Sequence, residues 1–299
     1  MTGPVLRPLG VGDIVDRVIA LYRADWRLFL VVSAVPNLVV IFLTNAFTLA
    51  FPNAFLVGDE LLGAGADPAA LQRAADRVRG VELGPLFLFA ILSVVPTLVA
   101  VGGLVAAAAA RALGRPITAA AALRAGLRAT LRLVLAGLGG TVLFGLAWAL
   151  LGGLAFALTG LAGIFAVLFV VVAFGLPLYV LASWATVPVV VTLEPIGALA
   201  ALGRAWRLAG GFRWRILGLF LLLAVIQVAL SALFGLLLIG PLIASPAAGR
   251  VASAIVSGLV TIAWEPLPWA TLTLLYLDLR VRKEGLDLQL AAEALAREA

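Results

Sequence analysis

Six stretches of this chain run for about 20 residues or more with almost no charge, near 28–50, 85–110, 133–159, 162–187, 216–240 and 251–277. A helix of that length crosses the ~30 Å hydrocarbon core of a bilayer, and no water-soluble domain of 299 residues buries six of them. With 64% apolar residues, 12% charged residues and a mean hydropathy of +1.18, the composition points the same way. The expected fold class is all-α: a polytopic membrane protein with six transmembrane helices and cytoplasmic interfacial amphipathic helices, forming one integral membrane domain over 1–299.

The chain has no Cys and no His, which removes thiol and imidazole catalysis, disulfides and the usual zinc ligands. No metal and no cofactor is expected. The net charge of +6 would suggest nucleic acid in a soluble protein, but in a membrane protein it is read through its placement, and no nucleic-acid partner is expected. Of 21 basic residues, 17 fall before the first span, between the second and third, between the fourth and fifth, or after the last. The positive-inside rule then places both termini in the cytoplasm of a multi-pass cell-membrane protein. A cleavable signal peptide is not expected, because 27 residues bearing seven charges precede the first apolar run. Residues 1–27 read as a cytoplasmic amphipathic segment and 279–299 as a cytoplasmic tail. Residues 57–84 read as an external loop with a short helix after Asp67-Pro68, carrying Arg73 and Arg77 on one face.

Three cytoplasmic segments begin with proline and an aliphatic residue and run through arginines into the next span: Pro8 to Arg27, Pro116 to Arg132 and Pro195 to Arg215. Their partial superposition suggests three copies of an interfacial helix followed by a transmembrane hairpin. In the middle copy Arg124, Arg128 and Arg132 recur every fourth residue beside Leu123, Leu127 and Leu131, the pattern of a helix lying among anionic headgroups. Such arginines serve either as topology determinants or as a specific headgroup site.

In the third span, Gly145, Ala149, Gly153 and Ala157 form a small-residue row that lets the fourth span pack closely, with a tight turn at Thr159–Gly163. Pro36, Pro96 and Pro177 bend three other spans, and Asn37, Ser93 and Thr97 are candidate interior partners for the disturbed backbone. In Trp264-Glu265-Pro266-Leu267-Pro268-Trp269 a carboxyl group sits deep in the sixth span. An acidic residue at mid-bilayer is unfavourable by about 2.5–3.5 kcal/mol, so Glu265 is either a proton or cation site or a protonated structural contact. Asn37 and Thr97 complete the candidate intramembrane polar site. Glu194 either caps the following helix or pairs with an arginine beyond it.

Three stretches carry a resemblance: Val187–Glu194 with Ala201–Leu208 and Phe212–Arg215; Leu274–Leu288, containing Tyr276-Leu277-Asp278-Leu279-Arg280-Val281-Arg282-Lys283-Glu284-Gly285; and Leu6–Leu9 with Asp13–Arg17. The chain resembles, over essentially its whole length, the membrane domain found in glycerophosphoryl diester phosphodiesterases and in free-standing proteins. The resemblance implies no phosphodiesterase activity, because the catalytic barrel and its His and acidic metal ligands are missing.

The expected function is a non-enzymatic scaffold or a partner- or lipid-binding module. Arg124, Arg128, Arg132, Arg204, Arg207, Arg213, Arg215, Arg280 and Arg282 are the candidate contacts to anionic headgroups or to a protein on the cytoplasmic face. A small transporter or channel built on Glu265 is the alternative.

Overall fold

The computed structural model describes residues 8–51, 72, 83–158, 164–244 and 246–298. The loop expected at 57–84, with Arg73 and Arg77, falls almost wholly outside them, and so does the turn at Thr159–Gly163. Among the described residues there is no strand, and the chain forms α1 (Val11–Ala24), α2 (Trp26–Ala50), α3 (Leu83–Ala112), α4 (Ala119–Leu158), α5 (Ile164–Trp184) and α6 (Val187–Leu193). It continues through α7 (Ala198–Ala209), α8 (Arg213–Ala244), α9 (Pro246–Trp264), α10 (Pro266–Glu284) and α11 (Leu286–Glu298).

Among the described residues, five segments are long and apolar enough to cross a membrane: Trp26–Phe47, Gly84–Ala112, Ala119–Leu154, Val172–Leu193 and Arg213–Leu237. The apolar run expected at 251–277 does not form one helix. Pro266 has no N–H to continue α9, and its fixed φ suits the first turn of a new helix, so the chain breaks at Glu265 into α9 and α10.

Each of the three proline-led segments starts its helix three residues after the proline, at Val11, Ala119 and Ala198. Two of them form separate short helices. Asp25 interrupts the first, and Gly210 with Gly211 (φ 81°) turns the chain between α7 and α8. The middle segment has no proline, acidic residue or glycine pair between Ala119 and Leu133, and its lone Gly126 stays helical, so its arginine stripe lies on the first turns of the 40-residue α4 instead of on a separate interfacial helix.

Helix α3 packs against α2, α4, α6 and α10. The closest approach is between α3 and α4, where Gly102 and Gly126 face each other: a Cβ on Gly102 would lie 2.7 Å from Gly126 Cα, and one on Gly126 would run into the Val99 carbonyl. The small-residue row anticipated in α4 has no such role. Gly145, Ala149 and Gly153 are exposed, and a Cβ at either glycine meets nothing within 4 Å.

The arginine-rich end of the bundle is the best packed. Helix α10 is buried on all sides from Ala270 to Leu279, with Tyr276 and Leu275 fully enclosed, and Ile14 and Val18 of α1 join the same core. Elsewhere the spans present leucine, valine and phenylalanine outward, such as Phe42, Leu150 and Leu221, each at least two-thirds exposed. A bundle with its packed core at one end and an apolar exterior is suited to a hydrocarbon surround.

Candidate functional site

Two polar clusters stand out. The first occupies the arginine-rich end and draws together all three sequence stretches that carried the resemblance. Asp278, with a fully buried side chain, accepts from Arg215 Nη1 at 2.6 Å, from Arg282 Nε at 3.0–3.1 Å and from the Leu9 backbone N–H at 2.6 Å. Both guanidinium groups also donate to the Leu9 carbonyl, at 2.5 and 2.8 Å. One carboxylate and two arginines thus hold both backbone polar groups of a single residue near the start of the chain. Arg282 and Asp278 lie four residues apart on one helix, and the carboxylate of this pair is completely buried.

Beside this triad, Glu194 accepts from Arg204 Nε at 3.0–3.1 Å and from the Tyr276 hydroxyl at 2.6 Å. Of the two roles open to it, Glu194 therefore takes pairing: the N-terminus of α7 begins at Gly197 with no side-chain cap. Glu284 binds the other edge of the Arg204 guanidinium through both oxygens and accepts from Arg280 Nε at 3.0 Å. Hydrogen bonding to Arg204 holds the Glu284 carboxyl below its usual range against the opposing effect of burial, and Arg280 adds to it. The same bond to Glu284, with Glu194 contributing, holds Arg204 above its ordinary value although burial opposes it.

Arg213 is enclosed differently. Its Nε donates to Ser183 Oγ at 2.8 Å, and its guanidinium lies 4.5 Å from the centre of the Tyr179 ring and 5.2 Å from that of Trp206. Arg132 Nη1 donates to the Glu194 carbonyl at 3.1 Å. The Arg207 side chain is exposed, and its carbonyl accepts from Lys283 Nζ at 2.7 Å. Arg124 and Arg128 are exposed and have no ion-pair partner among the described residues. The nine arginines expected to contact headgroups or partners thus divide: Arg204, Arg213, Arg215, Arg280 and Arg282 bind side chains of this chain, Arg132 binds a backbone carbonyl, and Arg124, Arg128 and Arg207 point outward.

The second cluster surrounds Glu265. Ser33 Oγ donates to Glu265 Oε2 at 3.1 Å and Asn37 Nδ2 donates to the same oxygen, so one face of α2, next to Pro36, reads the carboxyl at the α9–α10 break. The Tyr22 hydroxyl donates to the Ala263 carbonyl at 3.1 Å, occupying an acceptor in the last turn of α9. Trp269, one turn on, lies beside Glu265 and also lines an apolar cavity of about 640 Å³ among α3, α4, α5 and α6. Thr97 is not part of this cluster. It is exposed, and its hydroxyl turns back to the Ser93 carbonyl of its own helix at 2.8 Å. Ser33, Tyr22 and Trp269 were not anticipated; Ser33 and Asn37 stand one helical turn apart, the spacing that would have paired them.

Among the described residues no group of three His, Cys, Asp or Glu side chains is placed to hold a metal ion. The carboxylates of the first cluster are occupied by arginines. The Glu265 carboxyl, in contrast, is met by the neutral side-chain amide of Asn37 and the hydroxyl of Ser33. No family model matches this chain, and no curated protein or solved structure matches it either.

Proposed function

We propose that this chain is a non-enzymatic, multi-pass membrane protein that presents a rigid arginine-rich platform to the cytoplasmic headgroup layer, as a scaffold for lipid or for a protein partner. The observation that carries the reading is the division of the arginines. One set is consumed in part-buried internal pairs that lock α1, α6, α7, α8 and α10 together, and Arg124 and Arg128 stay outward beside Leu127 and Leu131, which are 59% and 68% exposed. Exposed tryptophans support the same placement. Trp214 and Trp26 begin α8 and α2, and Arg27 lies over the Trp26 ring, as in an interfacial aromatic belt.

In this reading α9 and α10 together make a sixth, broken crossing, both termini are cytoplasmic, and the three proline-led helices with their hairpins are copies of one unit. The likeness to the phosphodiesterase membrane domain belongs to the same proposal. Its support is that the three stretches carrying the likeness meet in one network around Asp278 and Glu194.

A specific observation favours a second reading, a small transporter or channel: Glu265 sits at a helix break against Ser33 and Asn37, the kind of placement that marks proton or cation paths in membranes. Reconstituted vesicles separate the two. The scaffold reading expects no proton or cation flux above empty vesicles, and a Glu265→Gln variant that folds and behaves like the parent. Flux in the parent protein that disappears in Glu265→Gln would overturn it in favour of transport.

A further inference from the structure

On α4, Arg124, Arg128 and Arg132 share one face with Leu135, Gly139 and Val142, because these positions fall within about 80° of each other at 100° per residue. The stripe is therefore cationic for its first turns and apolar after them. Where it turns apolar, Leu135, Leu138, Gly139 and Val142 form one wall of a groove of about 690 Å³, and Gly197–Ala200 at the start of α7 form the other. Gly139 lets the two walls come close: a Cβ there would lie 3.0 Å from Leu199 Cδ2.

We propose that this groove holds an acyl chain of an anionic phospholipid from the surrounding bilayer, with its phosphate bound by Arg128 and Arg132. Charge complementarity selects this occupant. Arg128 is exposed and unpaired among the described residues, and Arg132 is held by the Glu194 carbonyl beside the turn that leads into α7. By the helical rise the two arginines stand about 5 to 10 Å above Leu135, a headgroup's distance from the apolar wall. The positive end of the α7 dipole lies at the same place. The charge of the nearby Glu194 carboxylate is offset by its ion pair with Arg204. The groove residues carry no charge, so the chain contributes through apolar burial and the headgroup through the arginines.

The inference rests on the proposed membrane placement, and one experiment tests both separably. The full chain is reconstituted in nanodiscs containing phosphatidylglycerol or phosphatidylcholine with a photoreactive group in the acyl chain, and adducts are mapped by mass spectrometry. Labelling of 135–143 and 197–200 should be several-fold stronger from phosphatidylglycerol. Arg128→Gln with Arg132→Gln should abolish that ratio while leaving the fold unchanged, since Arg128 is exposed and Arg132 keeps an amide donor for the Glu194 carbonyl. Gly139→Leu should reduce labelling of the groove by both lipids. Equal labelling by the two headgroups, or adducts spread evenly to Leu150 and Leu221, overturns the groove site and leaves the membrane reading standing. An absence of adducts on all of these residues overturns both.

Discussion

The backbone N–H of Leu9 donates to Asp278 Oδ1 at 2.6 Å, although 269 residues separate the two. Arg215 and Arg282 complete this contact from the other side by donating to the Leu9 carbonyl and to the same carboxylate. The start of the chain is thereby fastened to its last buried helix, and α1 is held across the end of the bundle.

Removing the charge at Asp278 should be strongly destabilising. Asp278→Asn leaves two guanidinium groups facing each other around an uncharged amide, and loss of one partner of a buried pair typically lowers stability by about 3–5 kcal/mol. Arg282→Gln should have a smaller effect, because its side chain is 30% exposed and Arg215 still pairs with Asp278. Unfolding of the two variants in a mild detergent checks the order. Equal, small losses would mean that the triad is not a unit.

The contact between Gly102 and Gly126 predicts a sharp contrast among glycines in similar helices. Gly126→Ala drives a methyl group into the backbone of α3, a kind of overpacking worth about 1–3 kcal/mol. Gly153→Ala meets nothing within 4 Å and replaces a poor helix former by the best one, so it should be neutral or stabilising by up to about 1 kcal/mol. Melting temperatures that fall equally in both variants would contradict the packing.

Acid should weaken the Arg204 platform through Glu284. The folded-state pKa of Glu284 lies below its ordinary value of 4.5, so its contribution is complete above that value and disappears as pH falls through the folded pKa. Glu284→Gln removes the contribution at every pH and should flatten the stability profile below pH 5. A profile with the same slope in the variant would show that other carboxylates carry the acid response.

The proposed orientation predicts a labelling pattern, made accessible by the absence of native cysteine. Ala70→Cys should react with an impermeant reagent added outside intact cells, and Ala120→Cys and Leu290→Cys should react only after permeabilisation. The reverse pattern would invert the topology.

The legible part of this fold lies where apolar runs are long and local. Helices α2, α3 and α8 follow the expected spans closely because length and hydropathy suffice to define them, whereas α4 begins 14 residues before its expected span. The break at Glu265 was marked by two prolines, but nothing in the run itself distinguishes a bend from a new helix. Asp278 escaped because its burial depends on Leu9 and Arg215, which arrive from 269 and 63 residues away. Gly102 and Gly126 escaped for a related reason. Each is inconspicuous within its own helix, and the close approach exists only between them. The Glu265 site was half visible: the carboxyl and Asn37 were marked by their polarity in apolar runs, and Ser33 lay one turn from Asn37 on the same face.

At 1.5 Å per residue, the 40 residues of α4 extend about 60 Å, twice the depth of a hydrocarbon core of ~30 Å, with no proline within them. A helix longer than the hydrocarbon core accommodates a change in bilayer thickness by tilting. Because Gly126 is pressed against α3 and Arg132 holds the Glu194 carbonyl, the arginine-bearing end of α4 is the anchored one, so a change in bilayer thickness would be taken up at the far end of the rod while Arg124 and Arg128 keep their place.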